Sequence, residues 1–378
     1  MRDRKRLPKL WNVEFCALTS FSQSAIYGHN NNTNITDLCI SGSLPLIDWK
    51  TLVPETLITI GMPVYNAMPY LPEAIESLLS QTFADFELLV VVDGATDGSI
   101  AYLQSIRDSR LRLLTQPNLG LVATLNHILH ETRTSWLVRQ DADDVSYPTR
   151  LERIARAIMH YPDAGIFYSL AEYYPRDHAV GSFRCSRGTP AELRKIVQSG
   201  YLLSICHPTA VLHVEKTRAI GGYRVGLHAE DADLWWRMAL QHDIHCIDEP
   251  LVGFRHNPSS ISSLNFENQE TAGLYIQYLL LSKLWNLTPH PPKTIWNELG
   301  LLVNTKAITA KKYLRSFSMH LAEGALTEAL FAIFQALCAS PNYIFKRIQD
   351  EVSSSRIIRN GISPSLFLER KDALWPCS

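Results

Sequence analysis

The stretch Trp136-Leu137-Val138-Arg139-Gln140-Asp141-Ala142-Asp143-Asp144 passes from three apolar residues to three carboxylates. A short run of β-formers that ends in acids reads as a buried strand opening onto a polar loop, where an α/β sheet keeps its ligands. In an extended segment Asp141 and Asp143 lie on the same side, with only small Ala142 between them. Carboxylates crowded in this way repel one another and take up protons unless a cation or an arginine offsets them. Hard oxygen ligands of this kind favour Mg²⁺ or Mn²⁺ over zinc. The D-x-D pattern also recurs by chance as a solvated acidic turn, so the surrounding chain decides its meaning.

Upstream, Leu57-Ile58-Thr59-Ile60 reads as a strand broken by Gly61-Met62-Pro63-Val64-Tyr65-Asn66. Phe86 to Val92 is a second, almost wholly apolar, as expected where both faces of a parallel sheet are covered. It runs into the tight loop Asp93-Gly94-Ala95-Thr96-Asp97-Gly98-Ser99. Leu111 to Leu114 is a third strand, followed by the turn Asn118-Leu119-Gly120. Apolar residues at helical spacing (Leu71, Ile75, Leu78; Ile100, Leu103; Leu121, Leu125, Ile128; Leu151, Ile154, Ile158) place a helix after each strand. Alternation of this kind predicts an α/β fold with a mostly parallel sheet, and the loops after Ile60, Val92 and Val138 then share one edge.

Downstream, Ala164 to Tyr168 reads as a strand, and Thr189-Pro190-Ala191-Glu192 carries a capping box that opens a helix to about Ser199. Cys206-His207-Pro208-Thr209 and Gly221-Gly222-Tyr223-Arg224 are turns. Glu230-Asp231-Ala232-Asp233 starts another helix, where acids also suit the helix N-terminus. Leu251 to His256 is a last strand. From about Asn265 the chain becomes helical and strand-free, with leucine and aromatic stripes that suit a packed core or, as a weaker option, docking to a partner or a membrane surface.

Formal net charge is -1, which excludes binding of nucleic acid through a broad basic field. The seven cysteines form no C-x-x-C pair and are odd in number, arguing against a disulfide framework or structural zinc. Pro8, Lys9, Asn12 and Glu14 interrupt the apolar run that an export signal needs, and no stretch is long enough to span a bilayer. A cytoplasmic location is expected, with association at the inner face of the membrane compatible with it. The expected organisation is an irregular extension over 1–55, a catalytic domain over 56–264 and a helical region over 265–378.

From about Thr56 to Ser262 the chain resembles the family 2 glycosyltransferases of GT-A fold. The residues that carry the resemblance are Pro63-Val64-Tyr65-Asn66, Asp93-Gly94 with Asp97-Gly98-Ser99, Asn118-Leu119-Gly120, Asn126, Arg139 with Asp141-Ala142-Asp143-Asp144, Arg150, His207-Pro208-Thr209, Gly221-Gly222-Tyr223-Arg224 and Glu230-Asp231. None is specific alone; their order and spacing are. The resemblance implies inverting transfer of a sugar from a nucleotide-diphosphate donor, a UDP-sugar foremost, to an acceptor hydroxyl. The acceptor would be a saccharide or lipid-linked saccharide, in polysaccharide, lipopolysaccharide or glycan biosynthesis.

By the same resemblance Pro63, Val64 and Tyr65 line the base pocket with Asn66 beside them, and Asp93 contacts the base. Asn118, Gly120, Asn126 and Arg139 belong to the donor side, Asp141 meets the ribose or donor sugar, and Asp143 holds the Mn²⁺ or Mg²⁺. Asp231 is the general base and Glu230 orients it or contacts the acceptor. His207 and Gly222 shape the acceptor side, Asp233 serves the helix end, and Arg255 and His256, with Ser260 and Ser262, resemble a segment that neutralises the diphosphate. The family's Q-x-x-R-W motif of processive synthesis is not present, which favours single additions. Two alternatives remain: a sugar-1-phosphate nucleotidyltransferase, against which the glycine-poor Gly61–Tyr65 loop argues, and a non-catalytic nucleotide- or carbohydrate-binding protein.

Overall fold

The structure, a computed structural model, describes residues 58–175, 182–255, 266–322, 324–352 and 358–375. The 1–55 extension, His256, Ser260 and Ser262 lie outside the described residues. Strands β1 (Ile58–Val64), β2 (Phe86–Asp93), β3 (Leu111–Gln116) and β4 (Trp136–Arg139) alternate with helices α1 (Leu71–Leu79), α2 (Ser99–Ser105) and α3 (Leu121–Glu131). They pair in parallel in the order β3-β2-β1-β4, with Val64 opposite Val92 and Gly61 opposite Arg139. The carboxyl ends of β1, β2 and β4 therefore meet at one edge.

The apolar run of β2 has the cause expected of it. Leu88, Val90 and Val92 pack with α1 residues such as Leu71 and Ile75, whereas Leu89 and Val91 pack on the opposite face with Leu125, Ile128 and Leu129 of α3. With period-two geometry, a strand covered on both sides must be apolar at every position.

Beyond β4 the sheet becomes mixed. The chain continues through β5 (Val145–Ser146), α4 (Arg150–His160), β6 (Ile166–Tyr174), α5 (Pro190–Gln198), a 3₁₀ turn (His207–Thr209), β7 (Val211–His213), α6 (Val214–Ala219), α7 (Glu230–Ala239) and β8 (Ile244–Arg255). The full order is β3-β2-β1-β4-β7-β6-β8-β5, with β7 antiparallel to both β4 and β6, and β5 antiparallel to β8. The last strand begins at Ile244, ahead of the Leu251 expected from the sequence. The capping box of α5 is formed: Thr189 Oγ1 accepts from Glu192 N, and the Glu192 carboxylate accepts from Thr189 N.

The C-terminal helices are α8 (Phe266–Leu284), α9 (Pro292–Gly300), α10 (Thr305–Ala322), α11 (Leu326–Ala339), α12 (Pro341–Val352), α13 (Pro364–Leu368) and α14 (Lys371–Leu374). The first of them shares the core of the sheet: Ile276 and Leu280 pack in the same cluster as Trp235 and Tyr223. Buried Gln277 donates to the carbonyls of Gly200 (2.8 Å) and Ile362 (2.7 Å), tying the tail back to the sheet domain. By its contacts the chain divides into one unit of residues 48–345 with 356–378, and another of residues 1–47 with 346–355. Among the described residues Cys185, Cys206, Cys246 and Cys338 are free thiols.

Candidate active site

The acidic loop is wound around one buried amide. Gln140, fully enclosed, donates from Nε2 to the carbonyls of Asp141 (3.0 Å) and Asp144 (2.9 Å), while its Oε1 accepts from Ser146 Oγ (2.8 Å) and Arg150 Nη1 (2.6 Å). Arg150 is also fully buried and donates to Ser146 Oγ and to the carbonyls of Arg139 and Pro208. Burial pulls its pKa down to about 9, so it stays cationic at neutral pH. Neither residue was assigned a role from the sequence; Arg150 stood in the motif, whereas a buried glutamine leaves no sequence signal.

Arg139 leaves the sheet with its guanidinium buried and pairs with Asp141 Oδ1 at 2.6 Å. Asp144 is enclosed: Oδ1 accepts from Arg255 N (2.8 Å), and Oδ2 has no hydrogen-bond partner. Burial, then the charges of Asp141 and Asp143, raise its pKa well above the usual carboxylate range. Arg255 donates Nε to the Asp143 carbonyl (2.8 Å), pairs with Glu73, and lies between the rings of Tyr70 (4.7 Å) and Tyr174 (4.9 Å). Its donors thus fix the loop.

The second acidic set sits on the first turn of α7. Glu230 is 9% exposed, and burial together with the neighbouring Asp231 charge raises its pKa to about 7. Asp231 accepts from Ala232 N at 2.7 Å, and burial raises its pKa as well. Both carboxylates feel the charges of Arg139 and Asp141, so α7 and the acidic loop face one another although about 90 positions separate them in the chain. Asp233 turns away: it is fully buried in ion pairs with Arg237 (2.8 Å) and Arg224 (3.1 Å). Arg237 in turn holds the carbonyls of Ile220 and Gly222, both at 2.7 Å.

His207 and Gly222 meet at Tyr223. His207 Nε2 lies 3.1 Å from the Tyr223 hydroxyl, and its ring stands edge-on to Trp235. Burial, with the Arg139 charge adding to it, pushes the imidazole pKa well below its ordinary value, so His207 is neutral. Asn126 reaches across from α3 and pairs with both main-chain groups of Tyr223, donating to its carbonyl (2.8 Å) and accepting from its N–H (3.0 Å). Gly222 has φ +59°, and a Cβ there would lie 2.8 Å from Asn126 Oδ1. Asn126 and Gly222 therefore shape one turn.

At the β1 and β2 ends, Pro63 and Val64 are buried within the strand, and Tyr65 is exposed. Asn66 accepts from the backbone of Thr96 (2.7 Å) and Asp97 (3.3 Å), joining the first two loops. The Asp93 carboxylate accepts from Gln116 Nε2 (2.7 Å), Leu119 N (2.8 Å) and Gly120 N (2.9 Å). It thereby folds the Asn118-Leu119-Gly120 turn against β2, where Gly94 leaves room for the Asn118 backbone.

The residues suit a hard divalent cation. The acidic loop supplies oxygen donors, burial and then the charges of Asp141 and Asp143 drive Asp144 towards its protonated form, and Asp144 Oδ2 is buried without a partner. Among the described residues no three His, Cys, Asp or Glu side chains form a ready-made cage. Mg²⁺ or Mn²⁺ bound through one or two carboxylates and substrate phosphates needs none.

The sequence profile of the family described as "Glycosyl transferase family 2" matches residues 59–217, from β1 to α6. The chain is 29% identical over 193 residues to the putative glycosyltransferase EpsE of Bacillus subtilis (strain 168), covering 48% of this chain and 66% of that protein. It is 30% identical over 130 residues to glycosyltransferase GlyG of Streptococcus pneumoniae serotype 4, covering 34% of this chain and 42% of that protein. The matches thus span less than two-thirds of either relative. Among solved structures, S. aureus TarS 1–349 in complex with UDP-GlcNAc superposes with a TM-score of 0.50 at 16% identity, covering 77% of this chain and 92% of that one. That likeness establishes a shared GT-A architecture. Through residues 59–217, less than half of its length, the chain is similar to glycosyl transferase family 2.

Proposed function

We propose that the protein is an inverting glycosyltransferase that moves a sugar from a nucleotide-diphosphate donor, a UDP-sugar foremost, to an acceptor hydroxyl. One observation carries the reading: the Glu230–Asp231 pair of α7 and the Arg139–Asp141 pair of the acidic loop lie within each other's field. Two acidic segments facing across one space supply what a displacement needs, a base on one side of the anomeric carbon and a leaving-group site on the other. Asp231 takes the proton of the acceptor hydroxyl. The acceptor oxygen then bonds to the anomeric carbon as the bond from that carbon to the phosphate oxygen breaks. The nucleotide diphosphate leaves with that electron pair.

Asp143, with Asp141 beside it, would hold the divalent cation, which when bound offsets the charge of the departing diphosphate. Arg139 keeps Asp141 oriented, and neutral His207 with Tyr223 forms the acceptor wall. The acceptor is a saccharide or lipid-linked saccharide. The testing experiment is a panel of nucleotide sugars with Mn²⁺ or Mg²⁺, read as release of nucleotide diphosphate with and without saccharide acceptors. Tight nucleotide binding without turnover on any member would mark a binding protein instead.

A further inference from the structure

Helix α11 turns its small residues inward and its large apolar ones outward. Ala329, Ala332 and Ala336, at i, i+3 and i+7, are buried, and Ala336 packs with Ala310 of α10. Leu326, Leu330, Phe334 and Leu337, at i, i+4, i+8 and i+11, form a separate stripe that is exposed, with Phe331 beside it. Leu330 is 67% and Phe331 61% exposed. Helical spacing sets Glu328 and Gln335 off this stripe, so no charge interrupts it. A contiguous apolar face of this kind marks a docking surface.

We propose that this face lies in the headgroup layer of an anionic lipid bilayer. With 14 residues α11 is about 21 Å long, short of the roughly 30 Å of a hydrocarbon core, so it suits lying in the interface and not crossing it. Among the described residues no helix is long and apolar enough to cross a membrane. Charge selects the occupant. The neighbouring α10 carries Lys306, Lys311, Lys312 and Arg315 without one acidic residue. Lys306, Lys311 and Lys312 are all exposed, and Lys311 also pairs with Glu270. A basic helix beside an apolar stripe complements lipid phosphates. A two-fold contact between copies through the same face would instead bring two such basic helices together.

The test is flotation of the full chain with phosphatidylcholine vesicles, with and without phosphatidylglycerol. The expected result is binding that requires phosphatidylglycerol, weakens with salt, and falls at least about tenfold in Leu330→Glu/Phe334→Glu. Lys306→Glu/Lys312→Glu should weaken it too. Because these side chains are exposed, melting temperature should be unchanged, which separates lost docking from misfolding. Three results would overturn the proposal: no binding to either vesicle, equal binding by the Leu330→Glu/Phe334→Glu variant, or a lipid-independent dimer that this variant dissolves. Each leaves the glycosyl-transfer reading untouched, since vesicle binding is measured without donor or acceptor.

Discussion

Arg255 donates Nε to the main-chain carbonyl of Asp143 at 2.8 Å, and its N–H to the carboxylate of Asp144, also at 2.8 Å. The last residue of β8 thus braces the acidic loop from behind. A guanidinium held between Tyr70 and Tyr174, with Nε on the Asp143 carbonyl and Nη2 on Glu73, is oriented before any ligand arrives. Arg255→Lys keeps the charge and loses the planar fork. Metal affinity measured by Mn²⁺ titration in the presence of nucleotide diphosphate should fall about tenfold or more, as for other groups that orient metal ligands. Unchanged Mn²⁺ affinity would mean that the brace does not set the loop.

The two acidic segments should fail differently. Asp143→Ala should abolish metal-dependent donor binding. Asp231→Asn should leave donor affinity within about twofold and lower turnover by roughly 10²-fold to 10⁴-fold, the range for loss of a general base. Calorimetry of donor binding alongside single-turnover rates separates the two. Equal loss of donor affinity in both variants would refute the division of labour.

Glu230 gives a pH prediction with a definite sign. Its pKa is raised from 4.5 to about 7 by burial and by Asp231, so between these values the folded chain keeps a proton that the unfolded chain releases. Stability therefore falls as pH rises through that window. Glu230→Gln cannot ionise: above pH 7 it should be more stable than the parent by on the order of 2 kcal/mol, and below 4.5 the difference should vanish. Because the Asp231 charge helps to raise Glu230, whose proton stays on up to about pH 7, Glu230→Gln should leave the acid limb of kcat/KM where Asp231 sets it. Urea unfolding across the range and a pH-rate profile check both.

The turn at Gly222 should tolerate no side chain. Its φ of +59° and the 2.8 Å gap between a built Cβ and Asn126 Oδ1 combine conformational strain with a clash. Gly222→Ala should destabilise the fold by about 2 kcal/mol, and Asn126→Ala, which strands both main-chain groups of Tyr223, by about 1–3 kcal/mol. The double variant should cost less than the sum, since both act on one contact. Thermal melts of the three variants read this directly.

What the sequence disclosed follows from how each feature is built. β1, β2 and β4 were readable because both faces are covered, so their positions are mostly apolar, and their polar loops had to share an edge. β7 and β5 were not: three and two residues carry no periodicity, and the antiparallel turn of β7 depends on its fit between β4 and β6. The acidic motifs were visible as residues, but the work of their neighbours was not. Asp93 binds the turn 26 and 27 positions on, and Asn126 clamps Tyr223 97 positions away. Hydrogen-bond partners that distant are set by the fold and leave no local pattern. The same holds for Gln140, whose enclosure by the loop makes it a hub.

Arg150 carries one last implication. Its guanidinium grips Gln140, Ser146 and the Arg139 carbonyl on one side and the Pro208 carbonyl on the other. The floor under the acidic loop and the support under His207 are consequently one rigid plate. Any closing movement that accompanies catalysis has to be made by parts hinged onto that plate, because sliding its halves apart would strip a buried cation of its acceptors.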